Sequence, residues 1–199
     1  MMNITYEIEF FSDWHCGSGL SSGVDLDLLV IKDENGLPYV PGKTIKGLLK
    51  EAVEELNRFS GKENSLIRQA FGYSLSKKDK QNSNKEEDNT DKSETGDCFF
   101  TNAELDDKLR EKIISANLSK YFYSSISSTA IEETGVAKEN SLRRMEVTIP
   151  CKLYGEIKDI PDELKPEIIK GLKFIKRLGQ NRNRGLGRCV FSIKKGGKI

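Results

Sequence analysis

The chain has 199 residues, 36% of them hydrophobic, with 32 Lys and Arg against 31 Asp and Glu. That length suits one domain with room for an insertion. The balanced charge excludes an overall polycation, the four scattered cysteines (Cys16, Cys98, Cys151, Cys189) exclude a disulfide scaffold or a CxxC zinc site, and no apolar run reaches membrane-span length.

The first residues, MMNITYEIEF, show no basic segment leading into an apolar one, so the expected location is the cytoplasm, with no membrane partner. Within them Ile4, Tyr6, Ile8 and Phe10 alternate with polar neighbours, the period of a half-buried strand. WHCGSGLSSG, from Trp14 to Gly23, predicts a glycine-rich loop into a second extended run, Val24 to Ile31. After a turn at Asp33 to Gly36, the spacing of Ile45, Leu48, Leu49, Ala52, Val53 and Leu56 predicts a helix, with Lys43, Lys46 and Lys50 off its apolar face. A second helix is expected over 65–73. From Ser74 to Asp97 the chain carries seven acids, five lysines and one aliphatic residue, a composition that predicts a mobile insertion.

Cys98 to Ala103 predicts a short core strand, residues 121–145 show the least regular pattern of the ordered parts, and Met145 to Tyr154 predicts a further strand. Pro166 opens a helix with apolar positions Ile168, Ile169, Leu172, Ile175 and Leu178, ending at Gly179. A final strand is expected over Cys189 to Ile193. This order is that of an α+β, ferredoxin-like (RRM-like) β-α-β-β-α-β core with insertions, its helices on one face of the sheet. The whole chain, 1–199, reads as one domain.

Two stretches carry chemistry. GLPYVPGKT, Gly36 to Thr44, ends like a Walker A loop, but five residues separate its glycines instead of four, and Pro38 and Pro41 supply no N–H where that motif cradles phosphate. A nucleotide-binding enzyme therefore rests on Gly42-Lys43-Thr44 alone, whereas a helix N-terminus after Pro41-Gly42 still attracts anions. Far downstream, GQNRNRGLGR joins Asn181, Arg182, Arg184 and Arg188 to Gly185 and Gly187, and every charged residue from Lys170 to Lys198 is basic. Forked donors on a backbone that glycine lets come close suit the open phosphates of single-stranded RNA; the alternative is a solvated loop. Arg143 and Arg144 either extend that surface or form a solvated face of their own.

Taken together, "WHCGSG", "DLLVIKDENGLPYVPGKTIKGLLK" and "LGQNRNRGLGR" resemble the RAMP superfamily, most closely the repeated backbone subunit of type III CRISPR effector complexes. The likeness covers most of residues 4–58 and 170–193. It implies a subunit that binds guide RNA, holds the duplex with a target RNA, and assembles with copies of itself and other CRISPR effector subunits. By the same resemblance Thr44 and Lys46 would contact guide phosphates, with Lys43 beside them at the helix start and His15 as further RNA contacts, and residues 124–145 take the place of a protruding thumb hairpin.

In that family an aspartate just before a V-I/L-R/K-D run cuts target RNA. Aligning Val30-Ile31-Lys32-Asp33 puts Asp27 there, and Asp25, two residues back in an extended chain, would aim its carboxylate the same way. The pair could serve one divalent metal, Mg²⁺ or Mn²⁺, with Asp27 as the ligand, in an endoribonuclease that works within a complex. The departures are Leu28-Leu29 after Asp27 and two aspartates where one is usual, and an exposed loop carboxylate is the plain alternative. His15, the only histidine, could be structural, a phosphate contact or a general base. Two rivals stay open: a non-catalytic structural RAMP subunit, and a RAMP ribonuclease that processes the guide precursor through His15.

Overall fold

A computed structural model describes residues 2–21, 26–61, 65–73 and 94–194. Its centre is strand β1 (Met2–Phe10), which pairs antiparallel with β5 (Lys152–Ile160) on one side and β6 (Cys189–Lys194) on the other. Two-residue β2 (Phe99–Phe100) closes the far edge against β5, giving the order β2-β5-β1-β6. With helices α1 (Gly42–Ser60) and α4 (Lys165–Phe174) as the two crossovers, this is the split β-α-β arrangement of a ferredoxin-like core.

The alternation in β1 sorts its two faces. Ile4, Tyr6, Ile8 and Phe10 are buried with Ile45, Leu49 and Val53 of α1 and Ile168 and Leu172 of α4, so the helices cover one face of the sheet. On the other face Glu7 sits between Lys194 at 2.7 Å and Lys152 at 3.6 Å. Burial pushes the Glu7 carboxyl up, but hydrogen bonds from Lys194 and Tyr154 and the two ammonium charges outweigh it and hold the group below its ordinary range. Glu9 and Glu156 add pairs with Lys152 and Lys158. The open face thus combines carboxylate–ammonium pairs with Tyr154, exposed Phe99 and Val190.

Three expected elements form differently. Met145 to Tyr154 divides at Ile149-Pro150 into β4 (Arg143–Thr148) and β5, which belong to different sheets. Strand β3 (Tyr123–Ser128) pairs with β4 from Tyr123↔Thr148 to Ser128↔Arg143, so much of the irregular stretch is a two-stranded ribbon. Its serines hid it, because a ribbon standing off the core has no apolar face to show period 2. Of the expected run 24–31, Leu28 and Val30 form isolated bridges to Met145 and Gly17, and residues 24 and 25 lie outside the described residues.

Helix α4 stops at Phe174, one turn before the expected end. Ile175 is extended (φ −67°, ψ 121°), which lets residues 176–178 run beside the start of β6 through Cys189 N–H to Lys176 O and Leu178 N–H to Gly187 O, both 2.9 Å. Ile175 and Leu178 stay buried, so their spacing of three reported burial and not helix. A helix not anticipated, α3 (Asp107–Ser115), starts where the Asp106 side chain accepts the Leu109 N–H. Helix α2 (Ser65–Phe71) falls within its expected span; residues 74–93 of the expected insertion lie outside the described residues, and Glu94 and Asp97 are hydrogen-bonded to Tyr73 and Gln69.

Candidate functional site

Strand β4 organises the site. Asp27 N–H donates to Arg144 O (2.9 Å) and the Asp27 carboxylate accepts the Arg144 N–H on Oδ2 (2.7 Å), so the aspartate is clipped to the ribbon base on both its backbone and its side chain. Next along, Glu146 N–H donates to Leu28 O (2.9 Å). The Glu146 carboxylate, almost wholly buried, accepts the Val30 N–H (3.0 Å) and the Lys32 ammonium (2.8 Å). Lys32 also lies over the Tyr123 ring, 3.9 Å from its centroid, and Tyr123 O–H donates to Gly36 O (2.8 Å). Burial, then the Glu146 and Asp33 charges, raise the Tyr123 phenol above its usual range.

The other side of β4 meets the two glycine loops. Trp14 and Thr148 exchange backbone hydrogen bonds, Trp14 Nε1–H donates to Ile149 O (3.2 Å), and the Trp14 ring stacks on Phe10 at 4.5 Å. His15 is fully buried, its Nδ1 2.6 Å from Glu146 O and its Nε2 without a partner among the described residues. His15, expected as a structural residue or an RNA contact, thus has its ring enclosed behind β4. Its carbonyl accepts the Gln180 N–H, and Asp13 O accepts that of Gly187, tying the downstream Gly-Arg loop to the His15 turn. Gly187 has φ +66°, and a Cβ there would lie 1.8 Å from Leu178 O, so only glycine closes this crossing.

Asn181 Nδ2 reaches Met145 Sδ at 3.8 Å, which sets the Gly-Arg loop against the same strand that holds Asp27. Arg143, Arg144, Arg182, Arg184 and Arg188 are all exposed, and among the described residues only Arg182 has an acidic partner, Glu51 at 3.9 Å with both side chains largely in solvent. Gly185 (φ +95°) has open space where a Cβ would stand. Arg143 and Arg144 flank the Asp27 carboxylate on β4, and the arginines of the Gly-Arg loop add forked donors suited to anions, with Glu51 beside Arg182. A groove of about 370 Å³ between α1 and this loop is lined instead by Glu51 and Glu55 beside Arg177 and Arg182, a mixed lining.

Lys43, Thr44 and Lys46 stand elsewhere, at the start of α1 against β2. Gly42 N–H donates to Asn102 Oδ1 (3.0 Å) and Thr44 N–H to Pro41 O (2.9 Å), so these amides are already occupied. A Cβ on Gly42 would lie 2.2 Å from Phe100 O. The Pro-Gly pair is thus needed for close packing of helix on strand, and no described contact joins its lysines to the Gly-Arg loop.

Asp25 lies outside the described residues, so its pairing with Asp27 is not among the described contacts. Among the described residues no three His, Cys, Asp or Glu gather as a metal cage. What they offer is Oδ1 of the exposed Asp27, the oxygen not used by Arg144. That fits an ion such as Mg²⁺, which keeps its waters and takes one or two carboxylates together with substrate phosphate. The family resemblance pointed to Asp27 and the composition of the Gly-Arg loop to its arginines, but neither pointed to Glu146, whose partners lie more than a hundred positions away.

The family model described as the RAMP superfamily matches residues 7–190. The chain belongs to the RAMP superfamily. No curated protein matches it. Among solved structures this RAMP chain is similar to a chain of type III-B Cmr-beta bound to cognate target RNA, determined by cryo-EM, at TM-score 0.67, 12% identity and 97% coverage of both chains. It is similar also to a chain of type III-B Cmr-beta in the apo state, at TM-score 0.65, 12% identity and 98% coverage of both. At such identity the likeness is one of fold. No helix among the described residues is long and apolar enough to cross a membrane.

Proposed function

We propose that this RAMP protein is a guide-RNA-binding backbone subunit of a type III CRISPR effector complex and cuts paired target RNA at Asp27. The observation that carries this reading is the role of β4, whose Arg144 clips Asp27 and whose Met145 meets Asn181 of the Gly-Arg loop. A carboxylate with one free oxygen thereby stands beside Arg144, on the strand that also meets the Gly-Arg loop and its donors suited to RNA phosphates. The similarity to Cmr-beta chains, one set of them bound to target RNA, supports the same choice of assembly and ligand. Copies of the chain and other effector subunits are the expected protein partners, and Lys43 and Lys46 give the guide a second, separate phosphate contact.

In the cut, a target 2′-oxygen attacks the adjacent phosphorus in line to give a 2′,3′-cyclic phosphate, the 5′-oxygen leaves and takes a proton from water, and the 2′ proton is transferred to an acceptor. Asp27 Oδ1 is the atom free to accept it, while Arg143 and Arg144 hold the phosphate oxygens. In place of that proton transfer, the same oxygen would hold a Mg²⁺ or Mn²⁺ ion together with phosphate, and the ion would neutralise phosphate charge.

Two rivals remain testable beside it. A structural subunit would carry Asp27 as an ordinary surface acid, and a guide-processing ribonuclease would need His15, whose burial counts against it. The test is the effector complex reconstituted with guide and target RNA, wild type against Asp27→Ala, in Mg²⁺ and in EDTA. Loss of discrete cuts in Asp27→Ala with target binding retained supports the proposal; equal cutting in every lane sinks the enzymatic part and leaves the binding part standing. Metal-independent cutting of repeat RNA by the isolated chain would favour processing.

A further inference from the structure

We infer that Glu146 is the positioning residue for Asp27, an inference that rests on the proposed cleavage at Asp27. Every polar group of Glu146 is tied to the site: its N–H to Leu28 O, its carbonyl to His15 Nδ1, and its two carboxylate oxygens to Val30 N–H and to Lys32. The segment 27–30 runs beside β4, hydrogen-bonded through Asp27 and Leu28 to Arg144 and Glu146, and then turns away to bridge Gly17. At that departure the backbone of β4 no longer reaches Val30, and the Glu146 side chain supplies the acceptor in its place.

The consequence is mechanical. Asp27 lies three residues before Val30 on the same segment. The Asp27 carboxylate itself is exposed, so its place is set by Arg144 behind it and by the anchors downstream, the Glu146 carboxylate on Val30 and the backbone bonds of Leu29 and Ile31 to residues 16–20. Without the Glu146 carboxylate, Val30 loses its acceptor in a buried position and Lys32 its counter-charge, and the segment shifts against the ribbon on its remaining backbone bonds. A catalytic group displaced by about 1 Å loses on the order of 100-fold in rate. Glu146 touches no substrate in this scheme; it acts through the placement of Asp27.

The test compares Glu146→Ala, Glu146→Gln and Asp27→Ala in the reconstituted complex, reading target cleavage and guide-RNA binding, with hydrogen exchange at Asp27 to Lys32 on the full chain. Glu146→Ala is expected to lower cleavage about 100-fold with guide binding unchanged and to speed exchange of the Val30 amide. Glu146→Gln keeps an oxygen for Val30 and is expected to recover cleavage to within about 10-fold of wild type. Because the alanine variant can fail to fold, exchange is measured on the unmodified chain as well, where the Val30 amide is expected to be as protected as those of β4. Wild-type cleavage by Glu146→Ala, equal damage from glutamine and alanine, or rapid exchange at Val30 in the unmodified chain would each overturn the inference. If Asp27→Ala cuts like wild type, the cleavage reading is the one that fails, and exchange alone then decides whether Glu146 holds the segment.

Discussion

Asp27 and Arg144 are joined by a reciprocal pair of hydrogen bonds, backbone N–H to carbonyl in one direction and backbone N–H to carboxylate in the other. The pair makes the aspartate part of the ribbon base and leaves one of its oxygens free. Structure and chemistry at this position can therefore be separated by substitution.

Asparagine at position 27 keeps an amide oxygen for the Arg144 N–H but has neither the charge nor the basicity of a carboxylate. Asp27→Asn is expected to bind guide and target RNA like wild type and to cut at least about 100-fold more slowly, the usual scale for loss of a proton-transfer group. Single-turnover cleavage of labelled target RNA measures it. A rate within about threefold of wild type would remove Asp27 from the chemistry.

The glycine and the lysine of the Walker-like stretch are expected to part company. Gly42→Ala drives a methyl group into the Phe100 carbonyl, a backbone atom that cannot step aside, and should cost about 1–3 kcal/mol in stability. Lys43 is exposed, and Lys43→Ala should change stability by no more than about 0.5 kcal/mol while weakening RNA binding. Denaturant titration and filter binding read the two effects, and neither the wild type nor either variant is expected to bind ATP.

Arginines that contact phosphate leave a mark on salt dependence. Arg184→Ala and Arg188→Ala are each expected to weaken guide-RNA binding and to lower the slope of log affinity against log salt by about 0.7, the single-strand value for each phosphate that is no longer neutralised. An unchanged slope would return these residues to the class of solvated loop charges. Arg182→Ala should give a similar change, since its Glu51 partner is distant and exposed.

Glu7 makes the fold acid-sensitive in a particular direction. Its folded pKa is depressed by Lys194, Tyr154 and Lys152 against the upward push of burial, so its contribution is present in full above the unfolded value of about 4.3 and fades as pH falls through the lower folded value. Thermal melts of wild type and Glu7→Gln at pH 7 and pH 3 check it. The variant should melt lower at pH 7, and the gap should shrink at pH 3; a gap that stays constant would show that the pairs with lysine do not depend on the charge of Glu7.

Local pattern alone determined the ferredoxin-like core. Ile4, Tyr6, Ile8 and Phe10 alternate because one face of β1 is buried, and the apolar positions of α1 recur because one face of that helix is buried. Residue type and spacing also marked the Gly-Arg loop, whereas Asp27 was singled out only by the family resemblance. Tertiary structure alone decided the rest. Serine-rich β3 has no burial to write into its sequence, Ile175 and Leu178 are buried in an extended segment that mimics helical spacing, and His15 turns inward because β4 covers it. Glu146 shows the limit most sharply: nothing near it in the chain requires a carboxylate, because its partners, Val30 and Lys32, reach it only once β4 has folded across them.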